Sequence, residues 1–84
     1  MNANVLFYCI DRAMKDESID YIEIVGLKHT ITLNPKKIIN VESWQNSLMI
    51  TKKISSGRQD QLLINVDQIV FLRIIYTEVK KDGE

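Results

Sequence analysis

The spacing of apolar side chains changes once in this chain, at Asp16-Glu17-Ser18, and that change restricts the fold more than any other feature. Ahead of it, Leu6, Cys9, Ile10, Ala13 and Met14 recur at intervals of three and four, with Asp11, Arg12, Lys15 and Asp16 opposite. The pattern predicts an amphipathic helix over 4–17, with Asn4 or Asn2 as its N-cap. Phe7 and Tyr8 make the first half apolar nearly all round, so a strand through 5–10 stays open as a competitor.

Beyond Ser18 the apolar residues alternate with period two. Ile22 and Ile24 share one face of 21–25, and Gly26 marks a bend. His29, Ile31 and Leu33 alternate with Lys28, Thr30 and Thr32, which places His29 on the apolar side as a semi-buried, hydrogen-bonded imidazole. Asn34-Pro35 stops this strand, because proline lacks the ladder donor. A strand over 38–44 follows, then a turn at Gln45-Asn46-Ser47, then 48–54 with Leu48, Ile50 and Ile54 on one side. A polar loop over 55–60 has Gly57 available for positive φ. Leu62, Ile64 and Val66 align next, Asp67-Gln68 breaks the run, and 69–76 is apolar on both faces except at Arg73. Such a segment is buried on both sides, in the core or by another subunit. One helix and five or six short strands at this spacing predict a small barrel or sandwich.

The chain has 84 residues, one small domain, and a compact fold of that size buries only about 60–65% of the surface its unfolded chain exposes. Domains this short add bridges, metals or a partner subunit. A single Cys9 builds no internal disulfide, and with His29 alone beside it closes no zinc site, so no metal or cofactor is expected. Oligomerisation is the device left. The lone cysteine reads as cytoplasmic, the start Met1-Asn2-Ala3-Asn4 lacks the charged region of a signal peptide, and no apolar run approaches the ~18 residues of a spanning helix.

Eleven basic residues balance eleven acidic ones, which excludes a strongly basic nucleic-acid domain as a description of the whole chain. The balance is not local. Residues 1–27 have two basic and five acidic side chains, residues 28–59 six and one, and residues 60–84 three and five. A basic middle between acidic flanks focuses an anionic partner on one surface, or it is ordinary charged decoration whose signs folding brings together.

The order of elements resembles the Sm-like fold, the group containing Sm, LSm and Hfq proteins, over residues 4–76. Ser43-Trp44-Gln45-Asn46-Ser47-Leu48-Met49-Ile50 is similar to the turn closing that family's first motif, and Leu63-Ile64-Asn65-Val66-Asp67-Gln68-Ile69 stands where the second falls. The family's loop asparagine corresponds loosely to Asn46, whereas Asn65-Val66 replaces the Arg-Gly pair that helps line its nucleotide pocket. The stretch 30–38 is also similar to the start of small flagellar regulatory proteins of the FlbD type. The Sm-like resemblance implies a mainly β domain: a helix over 4–17, a five-stranded, strongly bent antiparallel barrel over 20–79, and a frayed tail over 80–84. It also implies a homo-oligomer, a ring favoured over a dimer, with edges supplied by 61–76.

Lys36, Lys37, Lys52, Lys53 and Arg58 fall in or beside turns, where cations reach the phosphates of RNA or single-stranded DNA without desolvation. Paired lysines at strand ends also keep edges soluble and unpaired. Trp44 beside Gln45-Asn46 stacks a base if it is exposed, or covers the rim of a small barrel. No paired carboxylates, phosphate loop or Ser-His-Asp set is present in the sequence, so no enzymatic activity is expected. The alternative function is a structural or regulatory module whose ligand is another protein.

Overall fold

Asn2 starts the helix: its side chain accepts the Asn4 backbone N–H at 2.7 Å, satisfying one of the donors a helix N-terminus leaves free. In the computed structural model, which describes residues 2–78, α1 runs Ala3–Lys15. The competing strand over 5–10 is therefore helical, and the tail 80–84 lies outside the described residues. Asp16 ends α1 two residues short of the expected limit, in an extended conformation. Its Oδ1 accepts the Ser18 hydroxyl at 2.6 Å and the Ser18 backbone N–H at 2.9 Å. The hydroxyl bond first, then the backbone bond, holds the Asp16 carboxyl below its ordinary value.

Six strands follow: β1 Ile19–Gly26, β2 Thr30–Leu33, β3 Ile38–Trp44, β4 Ser47–Ser55, β5 Arg58–Asn65 and β6 Ile69–Tyr76. They form two antiparallel three-stranded sheets, ordered β2-β1-β6 and β3-β4-β5. Among the described residues no ladder joins the two sheets. Six is the upper count that the spacing gives and one more than the resemblance implies; a 3-10 turn at Pro35–Lys37 separates β2 from β3, where Asn34-Pro35 is expected to stop the strand. Proline there fixes φ and withdraws a ladder donor, so the segment turns instead of continuing straight.

The chain passes between sheets twice, and both corners are built alike. At the first, Asn34 Oδ1 accepts the Lys36 N–H at 3.0 Å, and the Ile38 N–H closes on the Pro35 carbonyl. At the second, Asn65 Oδ1 accepts the Asp67 N–H at 3.0 Å, and the Ile69 N–H closes on the Val66 carbonyl. Leu33, Pro35 and Ile38 are buried at one corner and Ile64, Val66 and Ile69 at the other, while Lys36 and Lys37, and likewise Asp67 and Gln68, face solvent. An asparagine that bonds its own backbone two residues on offers the chain a turn in place of a ladder. The pattern apolar–Asn–apolar–polar–polar–Ile thus encodes a corner in both places.

Both sheets and the helix meet in one core. Leu6 and Ile10 from α1, Ile22 and Ile24 from β1, Leu33 from β2, Leu48 and Ile50 from β4, and Val66 from the second corner are sealed from solvent. Burying side chains of this size contributes roughly 1.5–3 kcal/mol each before entropy is counted. Three sequence expectations change. β2 begins only at Thr30, so His29 is exposed in the turn before it. A register shift between Lys53 and Ser55 puts Ile54 outside the core, away from Leu48 and Ile50. Val70 and Phe71 are exposed, so β6 is not covered on both faces within one chain.

Candidate nucleic-acid interface

Lys36 and Lys37 occupy the two outward positions of the first corner, forced there because Pro35 before them and Ile38 after them face the core. The β3-β4-β5 ladder then decides which other cations they meet. Ile38 pairs with Lys52, Lys52 with Asp60, Lys53 with Gln59, and Ser55 with Arg58. The start of β3, the end of β4 and the start of β5 therefore lie together, and Lys36, Lys37, Lys52, Lys53 and Arg58 share one end of one sheet. Among the described residues the ion pairs are Lys15–Asp11 at 3.1 Å and Arg73–Glu23 at 3.5 Å, so none of these five cations is engaged in one. All are exposed except Lys52, which is half-buried opposite Asp60. A shallow cleft of about 300 Å³ opens here between Ile39, Lys53, Ser55, Gly57, Arg58 and Gln59. Gly57, at φ +78°, makes the tight turn that brings Ser55 and Arg58 face to face.

Trp44 and Asn46 are at the opposite end of the same sheet. Trp44 pairs with Ser47 across a two-residue turn in which Gln45 takes φ +52°, and Ser47 pairs in turn with Asn65. Lys53 lies six residue steps along β4 from Ser47, about 20 Å of extended chain. The indole is 54% exposed at the rim, free of the core. Asn46 is engaged: its side-chain Nδ2 donates to the Asp67 carboxylate at 2.8 Å, and its backbone carbonyl accepts the Val66 N–H at 2.8 Å. These bonds tie the β3–β4 turn to the second corner. Residues 43–50 and 63–69 thus touch, with the Asp67 carboxylate at the contact. Five cations and the Asp60 carboxylate lie at one end of this sheet, and the Asp67 carboxylate meets the other end.

The sequence singles out the five cations without showing that they share one end of a sheet. The information lay in the pairing: reflecting residues 36–44 about the Gln45-Asn46 turn places the first corner beside Lys52 and Lys53. The roles of Asn65 and Asp67 had a local signal, the recurrence of the Asn34 pattern. Compared with family models, with curated proteins and with solved structures, the chain has no significant match. Among the described residues no helix is long and apolar enough to cross a membrane.

Proposed function

We propose that this chain is a non-catalytic, oligomeric Sm-like module that holds the phosphates of RNA or single-stranded DNA on the basic end of its β3-β4-β5 sheet. The observation that carries the reading is the convergence of Lys36, Lys37, Lys52, Lys53 and Arg58 on one end, none of them in an ion pair among the described residues. Phosphate binding there releases counterions and needs no particular sequence. Trp44, about 20 Å away on the same sheet, is placed to stack a base of the same strand rather than one beside the phosphates.

The Sm-like part is supported by the order helix, β1, β2–corner–β3, β4, β5–corner–β6, with β6 returning to β1 so that the strands wrap one core. Assembly is supported by unpaired edges: among the described residues β2 and β6 flank one sheet and β3 and β5 the other, and Leu63 on β5 and Val70 and Phe71 on β6 are 65%, 55% and 42% exposed. A β5 edge that meets a neighbour's β6 edge makes a heterologous contact, which repeats into a ring instead of closing as a dimer. Light scattering is expected to give a multiple of 9.8 kDa, and replacing Leu63 and Val70 by Lys to return the monomer mass with the fold intact. A monomer mass for the unaltered chain at micromolar concentration overturns the assembly.

The second reading, a module for a protein partner, is favoured by those same exposed apolar side chains. Salt separates the two. Anisotropy with labelled A-rich and U-rich oligonucleotides is expected to show binding that weakens about 100-fold between 50 and 200 mM salt, the slope of roughly −3.5 for five contacts to a single strand. No binding to the assembled protein at low salt removes the nucleic-acid reading.

A further inference from the structure

The second opening in the fold has the reverse character of the basic cleft. It lies between the β1–β2 turn and the β5–β6 corner, with a volume of about 220 Å³. Ile24, Ile31, Ile64 and Ile69 supply apolar walls, and Lys28 and His29, the exposed polar residues of the turn, line its solvent side. No acidic side chain lines it; Asn65 and Gln68 complete the polar edge. Asp67, between those two in sequence, has its carboxylate bonded to the Asn46 amide.

Its walls are fixed by backbone. The Leu27 N–H donates to the Gln68 carbonyl at 3.0 Å and the Gly26 N–H to the His29 carbonyl at 2.8 Å, tying the turn to the corner. A Cβ on Gly26 would stand 3.1 Å from the Gln68 oxygen and 3.2 Å from the His29 oxygen, closer than side-chain carbons usually approach. The mouth therefore depends on glycine at that position. The opening is tied in place, not a gap between mobile loops.

We propose that this pocket binds a small carboxylic acid with a hydrocarbon body, the chain lying among the isoleucines and the carboxylate at the Lys28 and His29 mouth. The volume and the charge argue for it together. An apolar cavity of ~150 Å³ accepts benzene, and drug-sized ligands need ~300 Å³ or more, so this space suits a fragment of six to ten heavy atoms. A cation at the mouth and no acid in the lining favour an anionic head over a neutral or cationic one. The site is separate from the basic cleft, which lies at the far end of β5, so this proposal stands whether or not nucleic acid binds.

Octanoate is the probe, titrated into nitrogen-15-labelled protein and followed by amide chemical shifts. Saturable shifts confined to 26–31 and 63–69 are expected, with a dissociation constant on the order of 1 mM, as befits so few atoms. Octanol and octylamine are expected to bind at least ~10-fold more weakly, because the first offers Lys28 no charge and the second a like one. Lys28→Glu, at an exposed turn position, is expected to reverse the order of octanoate and octylamine. Ile31→Trp fills the pocket and is expected to abolish the shifts with the rest of the spectrum unchanged; if that variant misfolds, Lys28→Glu still decides. Equal binding of octanol and octanoate, tighter binding of a leucine-terminated peptide, shifts spread over β6, or no saturation each overturn the proposal.

Discussion

Leu6→Ala is expected to remove about 3–4 kcal/mol of stability, a large part of what an 84-residue domain possesses. Leu6 is fully buried one turn into α1, against a core drawn from both sheets. Alanine is the best helix former, so the change leaves helix propensity intact and the loss reports packing alone. Urea unfolding at one fixed protein concentration measures it, since assembly adds its own stabilisation. With a slope of about 1 kcal/mol per molar for a chain this size, the midpoint is expected to fall by roughly 3 M. Tyr8→Ala, exposed on the same helix, is the control and is expected to stay within about 0.5 kcal/mol of the unaltered chain. If Leu6→Ala also stays within that range, α1 is an appendage and the sheets close their core without it.

The parts of this fold legible in the sequence are those governed by spacing. Leu6, Ile10 and Ala13 on the helix, Ile22 and Ile24 on β1, and Leu48 and Ile50 on β4 are buried as their periodicity requires. What spacing misses is any place where the backbone slips or pivots. Ile54 has the right parity for the core, yet the shift beside it puts it outside, because one inserted residue exchanges the two faces of a strand. His29 has the right parity too, but it precedes the first ladder pair of β2 and belongs to a turn. Asn34-Pro35 and Asp67-Gln68 read as endings when taken singly. Compared with each other, they are one device used twice, an asparagine pivot that carries the chain from sheet to sheet.

The candidate site shows the same division. Residue type and position beside turns were enough to single out the cations. Their convergence depended on which strands pair, and so did the separation of Trp44 from them. Asn46 resembles a ligand contact, yet its side-chain NH2 and its backbone carbonyl are both bonded to the second corner. An amide committed to a carboxylate in this way holds two loops together, and the resulting contact between β3–β4 turn and corner also sets one end of β4.

Charge reversal at the basic end is expected to have the largest functional effect. Lys52→Glu with Lys53→Glu changes the local charge by four units and leaves three cations, so single-stranded nucleic-acid binding at 50 mM salt is expected to weaken about 100-fold or more. The logarithmic salt slope is expected to drop from roughly −3.5 to about −2. Lys52 is half-buried opposite Asp60, so its reversal sets like charges face to face and costs up to about 1 kcal/mol of stability. Lys36→Glu with Lys37→Glu avoids that cost, because both side chains are exposed at the first corner. If the end is one surface, the two pairs, taken from different elements, are expected to weaken binding to a similar extent. Lys15→Glu, on the helix and paired with Asp11, is expected to change affinity only a few-fold, separating the surface from net charge. Loss of binding with only one pair reduces the surface to a single hairpin or corner. Loss with Trp44→Ala and with neither pair moves the site to the other end of the sheet, where an oligonucleotide has an aromatic face to stack on and Asp67 beside it.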